Sequence, residues 1–584
     1  MTGKALHPFP PTAMFRRSAS LFAAVWIMAV FLLALAVPQV LATQPTKAGP
    51  GHRPERLQKV ESAGERFACG GQVEQQTWEL WDGSIRDWAR KSVSDRLRRE
   101  GDVYVLYDVQ TYLHNLVSMA RRCKRIDRLM EIASVVRPAY ESLEPGGWFS
   151  PGRRWVCRGG RTCSGRPGLL GQEVQLVSLQ FLGLASSIAN ALATTQIPAK
   201  NPAQNSAQGS SQFSLNEDAH AFIRTTSIVI AEHMLRWGDR KAIGKLADAA
   251  GASPEDVNTR SSDLLFTDKP LWMIGIYAEW AGILGDRDEG VKWHRLEGQE
   301  REALAKHVHV LLRLFNARLS YRTARQANGN GHGEAMPIAE LDRGFWRHYS
   351  DHLYAGYEGS EKPLVCPEKG KSSRKGSEST TAPLHRIEAA SVPKRPDVGW
   401  DLSHARRLVH VLDALERNRE AMSGIFELAE KELPPGDLDV RFANALVTLS
   451  WNGDRQQPLF SNYLNGANGW YRVGYAAAGS CNEGTPPFGL SEAFVTGGYA
   501  AWSGQQAVIR QLGRRLHQLA ILGEKQDGGQ DSARERTPDR PRDGAQHKEL
   551  IARYYPAFSR SAPPMGKALS KVMFLPSLVG VADE

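Results

Sequence analysis

The 584-residue chain lacks most of the signatures that would assign it at once. It has no CxxC pair and no histidine cluster with zinc-ligand spacing, so neither a metal nor a cofactor is expected. His348 and His352 stand at i and i+4, but the glutamate that a zinc protease places after its first histidine is missing. No basic stretch is interleaved with aromatic residues, which argues against a nucleic-acid partner. Strand signals are sparse. No series of alternating runs is punctuated by hairpin turns, and no strand alternates with helix, which excludes all-β and parallel α/β folds. A mainly α chain remains.

Arg16 and Arg17 precede an uncharged apolar run from Ala19 to Val37, followed by small residues at 40–42 that suit signal-peptidase cleavage. Residues 1–42 are therefore expected to be a signal peptide or, uncleaved, a membrane anchor. That address places the rest of the chain in the periplasm, outside the cell or on the membrane surface. No second apolar run of that length follows. Six cysteines follow the segment, an even number suited to disulfides, and Cys157 and Cys163 bracket a short Gly- and Arg-rich loop that a bridge can close. Lys plus Arg number 73 against 63 Asp plus Glu, a formal charge of +10 that favours an anionic partner.

Residues 43–74 read as a flexible polar lead. From there to 523 amphipathic segments recur as helical hairpins, at 103–122 and 125–143, then 172–192, 219–237, 271–284, 301–319, 345–357, 402–415, 438–450 and 491–522. Polar insertions interrupt them near 198–216 and 361–398. A disordered segment is expected at 524–549, and a C-terminal tail at 550–584.

The stretch GWDLSHARRLVHVLDAL, 399–415, holds the most chemistry. His404, Leu408, Leu412 and Leu415 share helical spacing, so the imidazole continues an inward stripe at the helix start. Asp401 or Ser403 can cap the first turn, whose dipole disfavours an imidazolium and leaves a base. The plainer alternative is a capped helix whose histidine only bonds locally. A second stretch, 451–475 with 481–502, is dense in Trp, Tyr, Asn and Gly. Rings beside amides suit sugars, which makes Trp400, Tyr463, Trp470 and Tyr475 binding candidates, with Asn462, Asn465 and Asn468 as polar neighbours; the plainer alternative is a structured interhelix loop whose rings cover the core. Tyr471 and Arg472 join them, the arginine able to pair with a uronate or sulfate. Tyr107, Gln110 and His114 share one helix face, inward or solvated, and Glu173, Glu232, Glu279 and Glu492 are helical carboxylates available for acid catalysis.

The helical hairpins, the Trp-Asp-Leu-Ser-His helix start and the Asn/Gly/Trp/Tyr loop together resemble the (α/α)-toroid superfamily of secreted polysaccharide lyases, glycosidases and uronyl epimerases. The resemblance implies hairpins closed into a toroid-like barrel over residues 75–523. It also implies a glycan cleft at the inner helix ends, with His404 and Asp401 in it and Trp470, Tyr471 and Arg472 as subsites. The β-sandwich that many of these lyases carry is not evident after the toroid. The function expected is an exported enzyme acting on an anionic polysaccharide by β-elimination next to a uronate, with His404, Asp401, Tyr471 and Arg472 catalytic. A hydrolase, an epimerase or a non-catalytic glycan-binding or envelope-assembly protein are the alternatives.

Overall fold

Two segments, Gln175–Thr194 and Asp268–Leu284, are apolar on almost every side, and such a helix is stable only when other elements enclose it. The computed structural model describes residues 66–146, 152–194, 209–259, 264–285, 296–325, 334–342, 355–366, 398–473, 482–525, 541–559 and 561–581. In it these two helices pack against each other at the centre of the core. Gln175–Thr194 is long and apolar enough to cross a membrane, but its most apolar window is 94% buried inside the protein. Their backbones approach closely at Gly183, where a Cβ would come within 2.7 Å of the Trp272 ring.

The described residues are mainly helical. Pro564–Leu578 packs on Tyr104–Arg122, which packs on Gln175–Thr194, then Asp268–Leu284, then Arg407–Arg417. Arg407–Arg417 touches the tight turn Tyr499–Gly504, and that turn returns to Pro564–Leu578, so the contacts form a closed circuit. Ile126–Val136, Gly209–Trp237 and Gly298–Arg318 lie against this circuit. Strand is confined to two antiparallel pairs among the described residues. Leu319–Arg325 pairs with Ala335–Leu341, Leu319 opposite Leu341 and Arg325 opposite Ala335, and the latter strand packs on helix Leu438–Ala445. Leu143–Glu144 pairs with Arg154–Trp155.

Cys69 is bonded to Cys123 and Cys157 to Cys163, and Cys366 is also disulfide-bonded, which fits an oxidising, exported setting. The proposed export segment, the 345–354 part of the expected 345–357 helix with His348 and His352, most of the 361–398 insertion and Tyr475 lie outside the described residues.

Five boundaries differ from the sequence expectation. Helix Gln72–Leu80 begins inside the 43–74 lead, because Cys69 ties that end to the tip of Tyr104–Arg122. The 491–522 segment is not one helix but Glu492–Thr496, the Tyr499–Gly504 turn and Ala507–Lys525. The break falls at Gly498, whose φ of 78° suits glycine and where a Cβ would meet Asn115 Oδ1 at 2.5 Å. The 550–584 tail is instead core: Leu569, Val572 and Phe574 of Pro564–Leu578 are buried, each worth roughly 1.5–3 kcal/mol. Helix Pro541–Tyr554 likewise covers the end of the expected 524–549 disordered segment, and Gly209–Trp237 begins within the 198–216 insertion.

Candidate functional site

Asp401 is extended and ends the approach to the short helix Leu402–Ala405. One carboxylate oxygen accepts the His404 backbone N–H at 3.1 Å and the Ser403 hydroxyl, satisfying donors that a helix start leaves open. Its other oxygen lies 2.6 Å from His404 Nδ1. A local cap thus also orients the imidazole. Geometry assigns Nδ1–H as the donor to Asp401, so Nε2 carries the lone pair.

The second stretch is stitched to this helix start. Asp401 pairs with Tyr463 in an antiparallel bridge, with Leu402 N–H donating to Asn462 O at 2.9 Å and Leu464 N–H to Trp400 O at 2.9 Å. Asn462 is fully buried. Its side chain donates to the carbonyls of Gly469 and Pro486, both at 2.8 Å, and accepts from Leu490 N–H at 2.9 Å. Asn468 accepts from Phe488 N–H at 2.8 Å, and Asn465 accepts from Ala467 N–H at 3.3 Å. Tyr471 pairs through its backbone with Thr485, which brings its hydroxyl to 3.4 Å from His404 Nδ1. Arg472 takes a φ of 58° and places its guanidinium 5.0 Å over the Tyr471 ring, close enough to act on Asp401.

Burial decides the charges. It lowers the basicity of His404, which Asp401 only partly restores, so the imidazole is neutral near pH 7. Burial by itself raises the Asp401 carboxyl, but His404, Arg472 and Ser403 outweigh it and hold Asp401 well below the usual carboxylate range. The Tyr471 hydroxyl is pushed well above its ordinary value by burial, which keeps it a proton donor.

The structure brings His404, Asp401, Tyr471, Arg472, Trp400, Asn462 and Tyr463 together. It does not offer the aromatic faces to solvent as the sugar reading expects. Tyr463, Tyr471, Trp470 and Trp400 are 0%, 3%, 5% and 3% exposed. Tyr463 donates to Trp470 O at 3.2 Å, the Trp470 indole donates to Gly359 O at 2.8 Å, and Trp400 lies against Phe266. These rings are large apolar bodies in a mainly helical protein, and covering the core outweighs leaving them wet.

Of the four carboxylates expected on helices, Glu173 instead lies in the loop just before Gln175–Thr194, and all four are engaged. Glu173 accepts from Arg236 and Glu232 from Arg153, while Glu279 takes Arg417 and Asn190. Glu492 accepts from Ala557 N–H at 2.6 Å, and burial pushes it up to about 7. Gln110 and His114 do face inward, bonded to each other at 3.0 Å, whereas Tyr107 keeps partial exposure. Among the described residues, only Cys69, Glu74 and Cys123 cluster tightly enough for a metal, and those sulfurs are joined to each other.

His410 escaped the sequence reading. It stacks on His114 with ring centroids 3.8 Å apart and lines a cavity of about 250 Å³ beside Asp413, Arg417 and Trp502. The signal was present in the same helix. His410, Asp413 and Arg417 stand at i, i+3 and i+7, a polar stripe on a different side from His404. No family model, curated protein or solved structure matches this chain.

Proposed function

We propose that this is an exported, toroid-like carbohydrate-active enzyme that cleaves an anionic polysaccharide by β-elimination, with His404 as its base. The closed circuit of helix contacts supports the toroid-like reading, and the disulfides support export. The observation that carries the chemistry is the buried Asp401–His404 pair with the Tyr471 hydroxyl beside it. A neutral imidazole whose orientation is fixed by a carboxylate is a competent proton acceptor at neutral pH.

In the proposed step His404 Nε2 removes the proton from the uronate's fifth carbon. The electron pair forms the double bond to the fourth carbon, the bond from that carbon to the glycosidic oxygen breaks, and the leaving oxygen takes the Tyr471 proton. Arg472 neutralises the uronate carboxylate as charge develops on it. With the loop rings buried, Tyr463 and Trp470 serve this reading by holding Tyr471 and Arg472 in place rather than by stacking on sugar.

The test is incubation of the purified protein with a panel of uronate-containing polysaccharides, read by ultraviolet absorbance and mass analysis. Unsaturated uronate ends that disappear in His404→Ala support the proposal. Reducing ends without that absorbance would move it to a hydrolase, and an unaltered glycan across the panel would leave a binding protein.

A further inference from the structure

We infer that the cavity between helices Tyr104–Arg122 and Arg407–Arg417 and the Tyr499–Gly504 turn is a binding site for one uncharged sugar unit. Its volume of about 250 Å³ falls below the roughly 300–1,000 Å³ of sites that take drug-sized ligands, and suits a single ring. Ser118, Arg122, His410, Glu416, Asp439 and Trp502 line it.

What distinguishes this cavity is polar groups left open. Trp502 is 3% exposed, yet its indole N–H has no hydrogen-bond partner among the described residues. His410 is held only by ring stacking on His114, and neither of its ring nitrogens is bonded among those residues. The exposed Glu416 carboxylate and the half-buried Ser118 hydroxyl also have no hydrogen-bond partner among those residues. Glu416 is exposed and His410 and Ser118 are half-buried, so water satisfies these groups in the free protein, and a ligand gains by supplying partners better placed than that water.

Charge selects among such ligands. Arg417 is spent on Glu279 and Asp413, and Asp413 also takes Arg121. Arg122 donates to the carbonyls of Val579 and Pro576 at 3.1 and 2.6 Å. Asp439 accepts from Gln505 at 2.8 Å. The lining therefore sets Arg122 against the carboxylates of Glu416 and Asp439, which repels an anion; Asp439 is already held by Gln505 and Arg122 offsets Glu416, so an amine finds no unopposed carboxylate. Burial, with His114 beside it, keeps His410 neutral, so its ring presents one donor and one acceptor. Hydroxyl groups match such a lining because each both donates and accepts, and the C–H face of a pyranose suits the Trp502 and His410 rings. The ligand class is a neutral hexose or N-acetylhexosamine. His404 and Asp401 do not line this cavity, so the inference stands apart from the proton-transfer proposal.

The purified full-length protein should be titrated with glucose, galactose, N-acetylglucosamine, glucuronate and glucosamine, with binding read by saturation-transfer NMR and calorimetry. At least one neutral sugar should bind in the millimolar range, ahead of glucuronate and glucosamine. Glu416→Ala and His410→Phe should each weaken that binding at least tenfold without lowering the melting temperature, and Trp502→Phe should weaken it while keeping a ring. His404→Ala should bind as the parent does, whatever becomes of turnover. No neutral-sugar binding, equal binding in the Glu416 and His410 variants, or preference for the charged sugars would overturn the site.

Discussion

His404 and His410 lie six residues apart, and their surroundings are opposites. Around His404 polar groups are matched: Asp401 holds the ring, Ser403 and the helix start share its other oxygen, and Asn462 closes three backbone positions. Around His410 the ring is stacked but has no hydrogen bond among the described residues, and the same holds for the side chains of Trp502, Glu416 and Ser118. Matched networks fix geometry, which a proton-transfer site needs, whereas open donors and acceptors beside a cavity are what a ligand can satisfy. The difference makes a claim about energy. Substitutions around His404 should cost stability, and substitutions around His410 should cost binding.

The largest effect is expected at Asp401. Asp401→Ala removes the helix cap, the acceptor of the His404 ring N–H and the acceptor of the Ser403 hydroxyl, and a lost cap at about 1 kcal/mol with a buried ring donor stranded at about 1–3 and a lost hydroxyl bond at about 1 comes to roughly 3–5 kcal/mol. Urea unfolding measures it, and a loss below about 1 kcal/mol would erase the contrast between the two regions. Asn462→Ala comes next, at about 3 kcal/mol, because it strands the Leu490 N–H and two carbonyls in a buried loop. The same variant should lower any turnover by loosening Tyr471, and the parent and variant melting curves should separate accordingly.

A third prediction concerns acid. Burial depresses His114 to about 3 from an ordinary 6.5, with Asp413, Arg417 and Arg121 exerting smaller effects. Below about 6.5 the unfolded chain protonates this histidine while the folded chain does not. Its contribution is therefore full above 6.5 and is lost as pH falls toward 3, at up to about 1.4 kcal/mol per pH unit. Asp342 and Glu492, both pushed up to about 7 mainly by burial, act with the opposite sign, gaining stability as pH falls from about 7. Only a comparison isolates the histidine. As pH falls from 6 to 4, His114→Gln should lose less unfolding free energy, or gain more, than the parent, by up to about 1.4 kcal/mol per pH unit, and parallel curves would show that His114 titrates alike in both states.

Much of the helical framework was legible in the sequence, because segments such as 103–122 repeat apolar residues at helical spacing and 271–284 is a long apolar run. The hairpin 319–341 was not, since LSYRTAR is mostly exposed and shows no alternation. Nor was Pro564–Leu578, where lysines, a proline and a short apolar run mask a core helix. Asp401 capping His404 could be read because a cap is local, three residues long. Tyr471 reaches the same point across 67 residues, yet its ring-rich loop marked it as a candidate. Periodicity could not decide between sugar-facing and core-covering rings in that loop, because Trp and Tyr serve a core and a surface equally well. The cavity was least legible, since Ser118, His410, Trp502 and Asp439 come from four separate segments.

The smallest effect is the sharpest test of the comparison, and it falls on Glu416. This carboxylate is exposed in the last turn of Arg407–Arg417, where the negative end of the helix dipole disfavours an anion. Its side chain has no hydrogen-bond partner among the described residues, so Glu416→Ala breaks no bond, removes a misplaced charge and installs the best helix former. Stability should stay within about 0.5 kcal/mol of the parent and rise rather than fall. If the variant instead loses more than about 1 kcal/mol in the absence of any sugar, Glu416 is part of a matched network like that of Asp401. A variant as stable as its parent that no longer holds a neutral sugar would mean that the carboxylate is kept at this unfavourable helix end for the ligand it meets.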